Sequence, residues 1–186
     1  YDISIDLRAY PFNSIVLLWL SRAGYKIGFE TGGFGFLLDK IVPYRADVHE
    51  LEHLKDALKE AGVDGAAVAL KPSYAVSADS LKEFSIMLEG LGVRIDEPFI
   101  FIHTGSGNPA KLWKKEKWQA LINGLTLRYR VKTVVYDSLC GDYLKGCIKL
   151  PVLLSLVGLA AAAKRASLFI GLDSLPAHLA ASFGTP

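Results

Sequence analysis

Residues 99–103 read Phe-Ile-Phe-Ile-His, an unbroken apolar run that stops at Thr104-Gly105-Ser106-Gly107-Asn108-Pro109. A strand with one wet face alternates apolar and polar residues. A run without alternation fits a strand covered on both faces, which is the situation in a parallel sheet flanked by helices. The segments around it keep to that scheme. Lys115 to Arg128 carries Trp118, Leu121, Ile122 and Leu125 on one stripe and reads as a helix. Thr133 to Tyr136 and Leu168 to Gly171 read as further strands. Pro151 to Arg165 reads as a helix with proline in its first turn, and Pro176 to Phe183 as another. Strand and helix alternate, which predicts right-handed βαβ units and parallel sheets.

The first half follows the same rule less regularly. Tyr1, Ile3, Ile5 and Leu7 alternate with Asp2, Ser4, Asp6 and Arg8, a period-two strand whose acids lie on a solvated face. Ile15 to Leu20 reads as a buried helix ending near Gly24, and Tyr25 to Phe29 as a strand. Gly32, Gly33 and Gly35 mark a loop. His49 to Ala61 has helical spacing and stops at Gly62; Ser80 to Leu91 is a helix that Asp79 can cap and Gly92 ends. The stretch Gly92 to Pro98 is the expected boundary between two lobes, 1–95 and 96–186.

Bulk properties narrow the function classes. The chain has 186 residues and a net charge of +2, without the basic stripe of a nucleic-acid-binding module. The cluster Lys111, Lys114, Lys115 and Lys117 reads first as a solvated helix face. Cys140 and Cys147 are too few for a disulfide framework, and their spacing without histidine is poor for zinc, so both are expected as free thiols. The uncharged run Leu150 to Ala163 is shorter than the ~20 residues that span a bilayer. These features fit a cytoplasmic protein, and the apolar bias leaves room for peripheral membrane contact. The chain opens inside a strand pattern and stops in a turn, as expected of a fragment of a longer protein.

Two loops carry the chemistry. The first, His103 to Trp113, follows a buried strand and precedes a helix, the position where open α/β sheets bind ligands. Its glycines admit a phosphate to the backbone, Thr104 and Ser106 offer hydroxyls, and Lys111 offers a positive charge. It is neither a Walker loop nor a full dinucleotide fingerprint, and ordinary turn chemistry explains the same residues. The second, Gly171 to Ala181, again ends a strand. Asp173 or Ser174 can cap the next helix, whose N-terminus favours an anion. Asp173 reads equally well as a cap alone. His178 reads as a packed helix residue bonded to a backbone carbonyl before it reads as a functional group.

Taken together these runs resemble a known family. "FIHTGSGNPAKLWKKEKWQALI" is similar to the first nucleotide-site motif of the heptosyltransferases (glycosyltransferase family 9): a strand, a small-residue loop, a Lys or Arg, a Trp, and a helix with a second Trp. "LFIGLDSLPAHLAASFGTP" resembles the second signature, with Leu175 where the family usually has Gly. A Cβ there crowds the backbone approach to a diphosphate. "YDISIDLRAYPFNSI" and "YKIGF" are weakly similar to the later part of the family's N-terminal domain. The family's opening strand and Gly-Asp loop, where its catalytic base is expected, have no counterpart here, so the base is expected upstream of Tyr1.

The resemblance implies two Rossmann-like lobes of a GT-B-type glycosyltransferase, an acceptor side in 1–95 and a donor side in 96–186. It implies inverting transfer of a heptose-like sugar from an ADP-sugar to a lipopolysaccharide core or related surface glycan, with no metal and no cofactor. The acceptor would be lipid-linked, placing the protein at the inner face of a bacterial cytoplasmic membrane. Thr104, Gly105, Ser106 and Lys111 would hold the diphosphate, with Ser174, Leu175 and Pro176 beside it. Asp173 would hold sugar hydroxyls, and His178 is the second-rank candidate. The competing readings are another sugar-nucleotide transferase or epimerase of similar fold, and a truncated, non-catalytic nucleotide-binding lobe.

Overall fold

The computed structural model describes residues 1–8, 13–31, 33–64, 73–137 and 143–186. Gly32, Cys140 and residues 9–12 of the opening run lie outside the described residues. The chain divides into two compact units, 1–70 and 71–186.

The first unit is built on β1 (Ile3–Ile5), α1 (Asn13–Leu20), β2 (Tyr25–Gly28), a 3-10 turn at Gly35–Leu37, β3 (Lys40–Ile41) and α2 (Glu50–Glu60). Its sheet is parallel in the order β1-β2-β3. The core is small: Ile27, Phe29, Val42 and Ala57, with Ile5, Tyr44 and Ala61 packed around it. His53 of α2 is fully buried beneath Tyr44, with ring centroids 4.3 Å apart, and its Nε2 accepts from the Arg45 N–H.

Two expectations for this unit are corrected. Asp6 is not on a solvated face: it is 6% exposed, while Ile3 and Leu7 are about half exposed. Asp6 sits at the strand end, where its N–H donates to Ile27 O and its Oδ1 accepts from the Arg8 N–H. Gly28, which lacks a Cβ, leaves room for the Asp6 side chain; a Cβ there would lie 3.2 Å from Asp6 Cβ. The turn, not the strand alternation, sets the burial. Nor is α1 a buried helix. Ile15 is buried, but Leu17, Trp19 and Leu20 are mostly exposed. A helix apolar all round has no stripe to say which face is covered.

The second unit contains α3 (Ala78–Gly90), β4 (Phe99–His103), α4 (Lys115–Tyr129), β5 (Lys132–Tyr136), β6 (Ile148–Lys149), α5 (Leu156–Arg165), β7 (Leu168–Gly171) and α6 (Leu175–Phe183). All pairings are parallel, in the order β6-β5-β4-β7. Every residue of β4 is buried. Phe99, Phe101, Val134 and Tyr136 pack on one face with α3, α5 and α6 through Phe84, Leu88, Ala160 and Leu179. Ile100, Ile102 and Val135 pack on the other with Trp118 and Ile122 of α4. The unbroken apolar run is thus the centre of a three-layer sandwich.

Here too the details differ from expectation. Ser77, not Asp79, caps α3; its Oγ accepts from the Ser80 N–H at 3.1 Å. The α5 helix begins at Leu156 rather than Pro151, because Ser155 takes the cap position and accepts from the Gly158 N–H. Residues 151–155 form a turn, and the two-residue strand β6 ahead of them is too short to register as a pattern. Helix α3 falls in the second unit, through Phe84 and Leu88, whereas the Gly92–Pro98 boundary assigned it to the first.

Candidate functional site

The chain leaves β4 toward β5 and β6 on one side and returns to its other side as β7. The strand order reverses between β4 and β7, and ligands of open α/β sheets bind outside the carboxyl ends at such a point. The loops after β4 and β7 emerge there side by side, since His103 and Gly171 are register partners. A Cβ at Gly171 would lie 3.3 Å from His103 O, so glycine permits this close approach.

The two loops are joined by side chains. Lys111 Nζ donates to Asp173 Oδ2 in an ion pair that bridges them. The lysine holds the Asp173 carboxyl below its usual range, with a smaller contribution from His178. His178 Nε2 stands 4.0 Å from Asp173 Oδ1, and the ring is exposed. It is therefore not the packed, carbonyl-bonded residue that helix position suggested. Deeper in, His103 Nδ1 is 3.1 Å from Ser174 Oγ, and the His103 ring lies over Tyr136 at 5.7 Å and 16°. Burial lowers the His103 pKa, partly opposed by the charge of Asp137.

Thr104 continues from β4, with its N–H on Tyr136 O. It is 5% exposed, and its Oγ1 has no hydrogen-bond partner. A buried hydroxyl without a partner is costly unless something else satisfies it. Gly105 is buried beside it. Ser106 Oγ accepts from the Asn108 N–H, and Asn108 Oδ1 from the Ala110 N–H, which starts the 3-10 turn Pro109–Lys111 and aims Lys111 at the second loop.

On the second loop Ser174 is the N-cap residue of α6 by position, but its side chain makes no cap bond. Its hydroxyl donates to Leu172 O instead. Leu175, the first helical residue, is half exposed at the rim, and Pro176 is buried in the first turn. Asp173 caps nothing; it is held by Lys111.

Sequence reading missed His103 and Asp137. Asp137 directly follows β5 at the same sheet edge and lines a groove of about 410 Å³ with Val135, Leu144, Lys149, Leu150 and Val152. A single acid after a strand gives no pattern to read. A second hollow of about 500 Å³, near Thr133 and Cys147, opens at the opposite end of β5, away from the loops. Among the described residues, no group of three or more His, Cys, Asp or Glu side chains could hold a metal ion. Nor is any helix long and apolar enough to cross a membrane.

A family model described as "Glycosyltransferase family 9 (heptosyltransferase)" matches residues 1–186. The chain belongs to this family. Solved structures agree on the fold. A glycosyl transferase family 9 protein from Veillonella parvula superposes with TM-score 0.76 at 23% identity, over 100% of this chain and 55% of the other. E. coli ADP-heptose lps heptosyltransferase II gives 0.72 at 16%, and E. coli heptosyltransferase WaaC with ADP gives 0.64 at 17%. Each is covered by the whole of this chain, which spans 61% and 60% of their respective lengths. No curated protein matches the sequence. The fold is that of the family: parallel sheets with flanking helices, as in GT-B-type glycosyltransferases.

Proposed function

We propose that this chain carries the donor side of a heptosyltransferase, moving a heptose-like sugar from an ADP-sugar to a lipopolysaccharide core or related lipid-linked surface glycan. The observation that carries the reading is the junction of the two loops by Lys111 and Asp173 beside the partnerless Thr104 hydroxyl. Family membership supports the reaction class. The WaaC structures described with ADP and with ADP-2-deoxy-2-fluoro heptose support the donor.

In this reading Thr104, Gly105, Ser106 and Lys111 take the diphosphate, with Ser174, Leu175 and Pro176 along its other side. The acceptor hydroxyl gives its proton to a general base as its oxygen bonds the anomeric carbon opposite the diphosphate, the bond to the diphosphate oxygen breaks with its electron pair leaving on ADP, and the configuration inverts. Charge grows on the leaving diphosphate, where Lys111 and the uncapped α6 N-terminus stabilise it without a metal. Asp173, released from Lys111, accepts from sugar hydroxyls, with His178 adjacent. Asp137 and the groove beside it suit the nucleoside, because a carboxylate can accept from both ribose hydroxyls.

Calorimetry of the full-length protein with ADP tests this. Lys111→Ala removes a charge-assisted contact and should weaken ADP roughly tenfold to a hundredfold. Asp173→Ala should abolish sugar transfer. Unchanged donor kinetics in both would sink the proposal. One observation favours a second reading, a different sugar nucleotide: Leu175 stands at the first turn of α6 where the signature usually has glycine. Preference for a UDP-sugar in a donor panel would select it.

A further inference from the structure

The turn between β6 and α5 shows solvent an apolar tip that the core of the second unit does not use. Leu153 is 96% exposed, Val152 is more than half exposed, and Leu156 and Val157 are exposed in the first turn of α5. A single exposed aliphatic side chain is ordinary on a protein surface; a run of them at 152, 153, 156 and 157 is a patch. The tip is also held in place. Val152 O accepts from the Tyr136 hydroxyl at 3.0 Å, Leu154 packs against the core below, and the Ser155 hydroxyl caps α5 through the Gly158 N–H. Leu153 therefore stands out from anchored neighbours, and little ordering is left to do when a partner covers it.

The charge beside the tip is mainly of one sign. Residues 143–172 contain Lys145, Lys149, Lys164 and Arg165 and no acid. Lys149 shares the walls of the groove of about 410 Å³ with Leu144 and Val152. Lys145 is fixed to α4 by the Gln119 amide, which accepts from its N–H and donates to its carbonyl. Lys115 stands 6.0 Å from the Tyr143 ring at the start of the same segment. The acids facing this region are Asp137 in the groove and Glu83, which lies with Val157 where α3 meets α5. The lysines come from three separate segments, which suits a diffuse negative surface better than one fixed carboxylate. Aliphatic side chains on a turn with lysines beside them fit a bilayer with anionic headgroups: the aliphatics enter the acyl boundary and the ammonium groups stay among the phosphates.

We propose that residues 152–157 dock the second unit on an anionic lipid surface, with Leu153 as the inserting residue. The lipid-linked acceptor of the reading above gives this docking its purpose, but the chemistry of the tip does not depend on that reading. The tip follows β6 at the carboxyl end of the parallel sheet, the end where the loops after β4 and β7 emerge, so a docked unit holds its nucleotide near the lipid surface.

The test is sedimentation of the full-length protein with vesicles of phosphatidylglycerol and phosphatidylcholine in equal parts, and with phosphatidylcholine alone. Each lysine near an anionic surface contributes about fivefold in binding, so wild type should prefer the mixed vesicles by at least about that factor. Leu153→Ser should lose about tenfold on the mixed vesicles, and Lys145→Gln about fivefold. Leu153→Ser should also melt with wild type, because the position faces solvent. Wild type that stays in the supernatant, equal binding to both vesicle types, Leu153→Ser that sediments like wild type, or early melting of that variant overturns the proposal. So does a wild-type dimer in light scattering that Leu153→Ser dissociates, which assigns the tip to a second copy of the chain. A wild type that sediments with the mixed vesicles but gives no calorimetric heat with ADP overturns the donor reading and supports the docking surface on its own.

Discussion

The two units use the same grammar of parallel strands and covering helices with different completeness. In the second, β4 is buried along its whole length and sheathed on both faces. In the first, β1 buries no residue completely, the core is four residues with a few neighbours, and α1 shows Leu17, Trp19 and Leu20 to solvent. A strand at the centre of a sheet constrains its sequence on both faces. A strand at the edge constrains little, and its apolar residues need not point inward. The loops joined by Lys111 and Asp173 belong to the second unit, whose sheet is covered on both faces.

The largest effect that could break this contrast is in β4. Phe101 is fully buried, so Phe101→Ala should cost about 3–5 kcal/mol in urea denaturation. Tryptophan fluorescence in a Trp19→Phe background reports the second unit alone, through Trp113 and Trp118. A loss below 1 kcal/mol would mean that the sandwich is looser than its packing implies. Next comes Gly171→Ala. Its Cβ would meet the Phe169 ring at 2.5 Å and His103 O at 3.3 Å, which predicts an overpacking cost of about 1–3 kcal/mol together with weaker ADP binding.

Smaller still is the first unit's response. Leu17→Ser, at a position 67% exposed, should change stability by no more than about 0.5 kcal/mol. A cost near that of a core residue would show that something covers α1 in solution. Last is a pH effect on the second unit. Burial depresses the His103 pKa in the native state, so the unfolded chain binds the proton more readily. Stability should fall as the pH drops from about 6.5, the ordinary histidine value, through the lower native one. His103→Asn should remove this part of the slope; an unchanged slope would assign it to another group.

Much of the second unit was legible because its signals are local. The runs at β4, β5 and β7 and the stripe on α4 are each contained in a few consecutive residues. What could not be read depended on neighbours elsewhere in the chain. Strands β3 and β6 are two residues each and exist only through their pairing. The burial of Asp6 follows from the missing side chain of Gly28 and from a turn that the strand pattern does not encode. For the site, the two loops and their Lys and Asp could be picked out by position after apolar strands. Their direct pairing could not, nor could the diversion of Ser174, because a serine before a helix ordinarily predicts a cap. That prediction fails here through a histidine on another strand.

The bonds that join the two loops cross 62 and 71 residues of sequence, from Lys111 to Asp173 and from His103 to Ser174. Long-range contacts of this kind form late, because the loop-closure entropy must be met before they contribute. During synthesis the first loop therefore leaves the ribosome well before its counterpart exists, and only docking of β7 beside β4 completes the pair. A nucleotide that bridges both loops would favour the docked state by mass action, so that donor availability would raise the yield of folded protein as well as occupy the finished site.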